Sequence, residues 1–161
     1  MDFDVTVEIP RGTRNKYEMD LKTHRIHLDR TLFTAPQYPA DYGFIEDTIA
    51  AGGKNLDAMV LVQEPTFPGC LIRSRTIGMF RMRDEEGPTP KMLCVPTADH
   101  RLANLRDIGD LDPFVQRGIR HFFEVYKAVE PGKSVMIEEN AWGGREEAEA
   151  EIEQAMKRAR I

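Results

Sequence analysis

No stretch of this 161-residue chain approaches the roughly 20 consecutive apolar residues of a membrane-spanning helix. Its first residues, MDFDVTVEIP, lack the basic segment and apolar run of a secretion signal. Both absences point to a cytoplasmic protein. Cysteine is scarce: Cys70 and Cys94 lie far apart, each in an apolar run and without metal-ligand or redox spacing, so both are expected to be buried thiols. Basic residues are the minority charge, 22 Lys and Arg against 27 Asp and Glu, for a formal net charge of -5. That balance gives no general attraction to nucleic acid or to an anionic membrane, so an anionic ligand must be held by a local cluster. The four histidines, His24, His27, His100 and His121, show no metal-ligand spacing. Internal repeats, linkers and low-complexity segments are also missing.

What is present is an ordinary globular composition, 41% hydrophobic and 30% charged, and a length that suits a single domain over residues 1–161. Phe3, Val5, Val7 and Ile9 alternate with Asp4, Thr6 and Glu8, the period of a half-buried strand. Asn15 to Met19 alternates again and puts Lys16 and Glu18 on one face; Ile26 and Leu28 mark a third strand ending near Arg30. Thr34 to Gly43, TAPQYPADYG, predicts an ordered loop with Tyr42 at its exit. Ala58 to Val62, Cys70 to Met82 and Lys91 to Val95 predict buried strands separated by Pro- and Gly-bearing turns.

The last third changes period. Asp112 followed by Pro113 predicts a helix start, with Val115, Ile119, Phe122 and Tyr126 on one stripe and Pro131 and Gly132 as the stop. Arg145 to Arg160 predicts a second helix with Ala148, Ile152, Ala155 and Ala159 inward, acids early and bases late, as the helix dipole favours. Strands followed by helices, without alternation, indicate an α+β fold around a small barrel.

The runs VEIPRGTRNKYE, LDRTLFTAPQYPADYGFIEDT, LDAMVLV, FPGCLIRSRTIGMFRMRDE, KMLCVP, DIGDL and HFFEVYK resemble, in order and over nearly the whole chain, family I (soluble) inorganic pyrophosphatases of the bacterial type. The resemblance implies a distorted five-stranded, OB-like β-barrel flanked by helices, and a homo-oligomer, a hexamer in many bacteria. It implies a phosphate or diphosphate pocket formed by Lys16, Arg30, Lys91, Tyr126 and Lys127. Tyr42 stands near the nucleophile, and Glu8, Glu18, Asp57 and Asp84 match the family's acids that hold Mg²⁺ directly or through water.

Three acids of the family pattern are missing, and its proline is replaced by Asn55. Where its signature loop reads D-x-D-P-x-D, this chain has Gly52, Gly53, Lys54, Asn55, Leu56 and Asp57, and Thr89 replaces another acid. An ammonium about 4 Å from a divalent ion costs on the order of 8 kcal/mol at an effective dielectric of about 20. With Lys54 expected to pair with Asp57, Asp84 and Glu8, these changes predict one Mg²⁺ ion or none in place of the family's full set. The functional expectation is a repurposed member that keeps its anion pocket, has lost the multi-metal hydrolytic centre, and uses Lys54, Tyr42 and Asp57 on a phosphate- or diphosphate-bearing, or other anionic, metabolite. The alternatives are residual Mg²⁺-dependent diphosphate hydrolysis and a non-catalytic oligomeric binding subunit.

Overall fold

The structure is a computed structural model describing residues 1–161. Its strands are β1 (Phe3–Ile9), β2 (Asn15–Asp20), β3 (Arg25–Thr31), β4 (Asp41–Ile45), β5 (Asp57–Val60), β6 (Leu71–Phe80), β7 (Arg83–Asp84), β8 (Gly87–Pro88), β9 (Lys91–Pro96), β10 (Val135–Met136) and β11 (Trp142–Gly144). Two α-helices follow the barrel strands, α1 (Pro113–Val125) and α2 (Arg145–Ala159). The order β1-β4-β5-β9-β6 closes on itself through a β1–β6 pairing, giving a five-stranded barrel with β11 appended to β6. All barrel pairs are antiparallel except β5 with β9. β2 and β3 form a separate two-stranded sheet.

Strand faces divide the interior into two apolar clusters. Ala58, Val60, Met92 and Cys94 gather with Val5, Val7 and Ile72 and with Ala148, Ile152 and Ala155 of α2. Met59, Leu93 and Val95, one residue out of phase, gather with Phe80 and with Ile119, Phe122, Phe123 and Tyr126 of α1. The period of two assigns each side chain to one helix or the other.

Both helices start where predicted, for different reasons. Asp112 accepts a hydrogen bond from the Phe114 N–H and Pro113 fills the first helical position. Gly144 gives α2 no side-chain cap, and Asp107 supplies one from elsewhere by accepting from the Arg145 N–H at 2.9 Å. The buried stripe of α1 begins at Ile119 and includes Phe123, whereas Val115 is exposed. Cys94 is buried as expected; Cys70 is only half-buried because it lies in the turn before β6.

Strand β4 is the main element not predicted. Its Tyr42–Met59 register lies inside what reads as a proline-rich loop, and it forms because Gly43 permits a contact no side chain could make. A Cβ on Gly43 would sit 1.9 Å from the Thr6 carbonyl oxygen, next to the irregularity in β1 between Val7 and Ile9. β7, β8, β10 and β11 are two or three residues long and are set by tertiary pairing rather than local pattern.

Candidate active site

Asp57, Lys91 and Tyr42 share one side of the barrel. Asp57 is two residues before Met59 on β5, Lys91 two before Leu93 on β9, and Tyr42 is the register partner of Met59. All three therefore stand on the face that packs against α1, whose C-terminal end brings Tyr126 and Lys127. The period of the strands alone thus collects residues from three strands and a helix.

Lys91 is the fixed point. Its ammonium donates to Asp57 Oδ2 at 2.7 Å and to Thr89 Oγ1 at 2.8 Å, and lies over the rings of Tyr42 and Phe123. Its side chain is only 4% exposed. The Tyr42 hydroxyl donates to the same Asp57 Oδ2 at 2.8 Å, leaving the other carboxylate oxygen without a hydrogen bond from the chain. Burial, then the Asp57 charge, pushes the Tyr42 phenol well up, so it stays a donor. Thr89 acts here as an acceptor for Lys91.

A second group converges from α1 and the β7–β8 hairpin. Lys127 lies 3.4 Å from Asp84 and 3.5 Å from Glu85, over the Tyr126 ring. The Glu86 N–H and Lys127 hold the Asp84 carboxyl below its usual range despite partial burial. Burial raises the Tyr126 phenol, helped by neighbouring Tyr38 and acids, and keeps it protonated. On the β2–β3 sheet, Lys16 and Arg30 are direct register partners and both pair with Asp29, Lys16 at 3.3 Å. Arg30 also meets Glu130 with two guanidinium nitrogens. Glu8 accepts from the Met19 N–H at 2.9 Å. Burial raises its carboxyl to about 7; the Met19 bond opposes this, and Asp57 and Glu18 add to it.

The signature-loop segment behaves differently from the rest. Ala51, Gly52, Gly53 and Lys54 are exposed, in a turn closed by the Ala50 N–H on Lys54 O and the Gly53 N–H on Ala50 O, with Gly53 at φ 92°. Lys54 does not pair with Asp57, Asp84 or Glu8: its ammonium lies 3.6 Å from Glu86, and its side chain is 82% exposed. The large electrostatic penalty expected of it presumes a desolvated ammonium inside the cleft. An ammonium facing bulk water is screened, and its effect on a cleft ion falls to on the order of 1 kcal/mol or less.

Four residues join the site without a sequence signal strong enough to single them out. Tyr38 is buried, packs on Tyr42 with ring centroids 5.6 Å apart, and feels the charges of Arg30, Asp57 and Glu8. Asp29, Glu85 and Glu130 each pair with a cation of the cleft. Tyr38 belongs to the two-tyrosine run that marks the loop as ordered; no local pattern sets the three acids apart from the chain's other carboxylates. A surface depression of about 620 Å³, lined by residues such as Val62, Pro96 and His100, contains none of this set, so chemistry rather than volume marks the site.

A profile of the inorganic pyrophosphatase family matches residues 5–160. The inorganic pyrophosphatase of Streptomyces coelicolor is 61% identical over 158 residues, covering 98% of this chain and 96% of that one. That of Leifsonia xyli is 48% identical, covering 91% and 89%. Among solved structures, the inorganic pyrophosphatase of Thermus thermophilus superposes with a TM-score of 0.96 at 40% identity, covering 99% of this chain and 92% of that chain. A closed five-stranded barrel with two helices is the architecture of the pyrophosphatase structures this chain matches. The chain belongs to the inorganic pyrophosphatase family.

This relationship corrects the functional expectation. A repurposed member that has lost its hydrolytic centre is overturned by relatives named inorganic pyrophosphatase at such identity and coverage. The physical reason lies in the loop: Gly52 and Lys54 sit on a solvent-facing turn, while Asp57 is placed independently by β5.

Proposed function

We propose that this chain, as one domain, is a Mg²⁺-dependent inorganic diphosphatase, converting diphosphate and water to two phosphates. The observation that carries the proposal is the 61% identity, across nearly both full lengths, to a protein named inorganic pyrophosphatase. The cleft supports it chemically. Arg30, Lys16 and Lys127 present charged donors from three segments, and charge-assisted bonds to phosphate oxygens are roughly twice as strong as neutral ones. Tyr126, held protonated, adds a neutral donor. Lys91 fixes and partly neutralises Asp57, and the Tyr42 hydroxyl selects which of its oxygens faces the cleft.

The donor set fits Mg²⁺. No three side chains converge into a metal cage, but Mg²⁺ commonly binds through one or two carboxylates, waters and substrate phosphates. Asp57 would hold it, with Asp84, Glu8 and Glu18 acting directly or through water; the finer reading is a single ion. When bound, such an ion supplies charge neutralisation and a more acidic water. The chain's own residues orient diphosphate through the cations, hold Asp57 against Lys91, and keep phenolic protons on Tyr42 and Tyr126.

We also propose a cytoplasmic location on the family relationship; no helix is long and apolar enough to cross a membrane. A homo-oligomer, a hexamer in the finer form, would cover exposed side chains such as Phe67 and Phe114. Phosphate release from diphosphate with and without Mg²⁺ tests the assignment. Turnover of about 1 to 10³ per second that requires Mg²⁺ is expected. Purified protein that releases no phosphate above background would overturn it.

A further inference from the structure

Arg30 reaches the cleft from the β2–β3 sheet, which is not part of the barrel, so its guanidinium needs an anchor outside its own hairpin. Glu130 provides one from 100 residues away, in the turn after α1, and meets Arg30 with both carboxylate oxygens. It is only 7% exposed, whereas Asp29, the other acid on Arg30, has a side chain 35% exposed and is shared with Lys16. The turn holding Glu130 also begins at Lys127, whose carbonyl accepts from the Glu130 N–H at 3.0 Å. Glu130 therefore links two cations of the cleft, one covalently nearby and one by a two-pronged ion pair.

A guanidinium carries five N–H donors in a rigid fork. Glu130 takes Nε and one hydrogen of Nη2, and Asp29 takes one of Nη1, so one donor on each terminal nitrogen stays available to an anion. Without Glu130 the fork would turn about its flexible stem, held only by an acid that also serves Lys16. We infer that Glu130 is a positioning residue for the diphosphate site, setting the orientation of the Arg30 fork and its spacing from Lys127. This rests on the proposed diphosphatase reading.

A double-mutant cycle with diphosphate and Mg²⁺ tests it. Glu130→Gln keeps the size and one acceptor but loses the charge and the two-pronged pairing; kcat/KM is expected to fall about 10- to 100-fold, mainly through KM, with Glu130→Asp recovering part. In an Arg30→Ala background, Glu130→Gln should change kcat/KM less than about twofold, because its effect passes through Arg30. Urea denaturation of each variant checks that the folded protein is being measured. Wild-type KM in Glu130→Gln beside an impaired Arg30→Ala would overturn the clamp alone, as would additive effects in the double variant. A fully active Arg30→Ala would remove the clamp too and place the fault in the site reading. No phosphate release by wild type would place it in the reaction.

Discussion

Lys91 and Lys54 are the same residue type at the same cleft, yet their side chains are 4% and 82% exposed. Lys91 lies between Asp57 and Thr89 with aromatic rings beneath it. Lys54 rides a glycine turn and meets only Glu86, itself exposed. A buried charge that loses its partner costs about 3–5 kcal/mol, whereas exposed ion pairs contribute about 0–1 kcal/mol. Residue identity at a loop position therefore says little until its exposure is known. The buried half of the site carries the energetic consequences, and the exposed half tolerates change.

The largest effect should come from opening the buried half. Lys91→Ala leaves Asp57 without its ammonium and removes a cation from two rings. Stability by urea denaturation should fall by about 3 kcal/mol or more, and diphosphate hydrolysis by a factor of about 10³. Loss of less than 1 kcal/mol and less than tenfold in rate would erase the contrast with Lys54. Asp57→Asn comes next. It keeps the shape but removes the charge that both Lys91 and a divalent ion would face, so hydrolysis at saturating Mg²⁺ should fall about 10²-fold or more. A rate within a few-fold of wild type would move the metal-binding role to Asp84 and Glu8.

The buried half was partly legible in the sequence. Alternation in Phe3–Ile9 and the ASX-proline start at Asp112 hold in the structure because those elements bury one face and cap locally. Tyr42 and Lys91 both meet Asp57, Tyr126 belongs to the apolar cluster on which Tyr42 packs, and Lys127 lies over the Tyr126 ring. β4 was hidden because its reason is Gly43 against the Thr6 carbonyl, a contact between segments that no local pattern reports. Glu130 was hidden for the same reason: its partner is 100 residues away. The direction of Lys54 was misread because sequence gives the charge of a side chain but not the water around it.

Glu8 lies between the two extremes and tests whether burial alone sorts these charges. Its carboxyl is raised from 4.5 to about 7, so the folded protein holds a proton the unfolded chain releases above pH 4.5. The stability linked to that proton is fully present below about pH 4.5 and is lost as pH rises through 7. Glu8→Gln removes this dependence while keeping an acceptor for the Met19 N–H. In EDTA the variant should match wild type at low pH and exceed it by about 3 kcal/mol above pH 7. Urea denaturation between pH 5 and 8 measures the difference. A wild-type stability that stays level relative to the variant across that range would show that Glu8 ionises as readily folded as unfolded.

The smallest expected effect is that of Lys54→Ala, and it bears most directly on the exposed half. The turn is held by backbone bonds among Ala50, Gly53 and Lys54, and none of these uses the lysine side chain. The strand beyond is anchored separately: the Leu56 N–H donates to Thr48 Oγ1, and the Ile45 N–H donates to Leu56 O. Losing the side chain should therefore leave Asp57 where it is. The pair with Glu86 is screened, so stability should change by less than about 0.5 kcal/mol. Removing one positive charge near the mouth should tighten Mg²⁺ slightly and leave kcat within about twofold, with the difference shrinking as salt rises. Mg²⁺ titrations of diphosphate hydrolysis at low and high ionic strength measure both. A tenfold loss of kcat that persists in salt would mean that the turn folds over bound diphosphate and that Lys54 works in a desolvated setting after all.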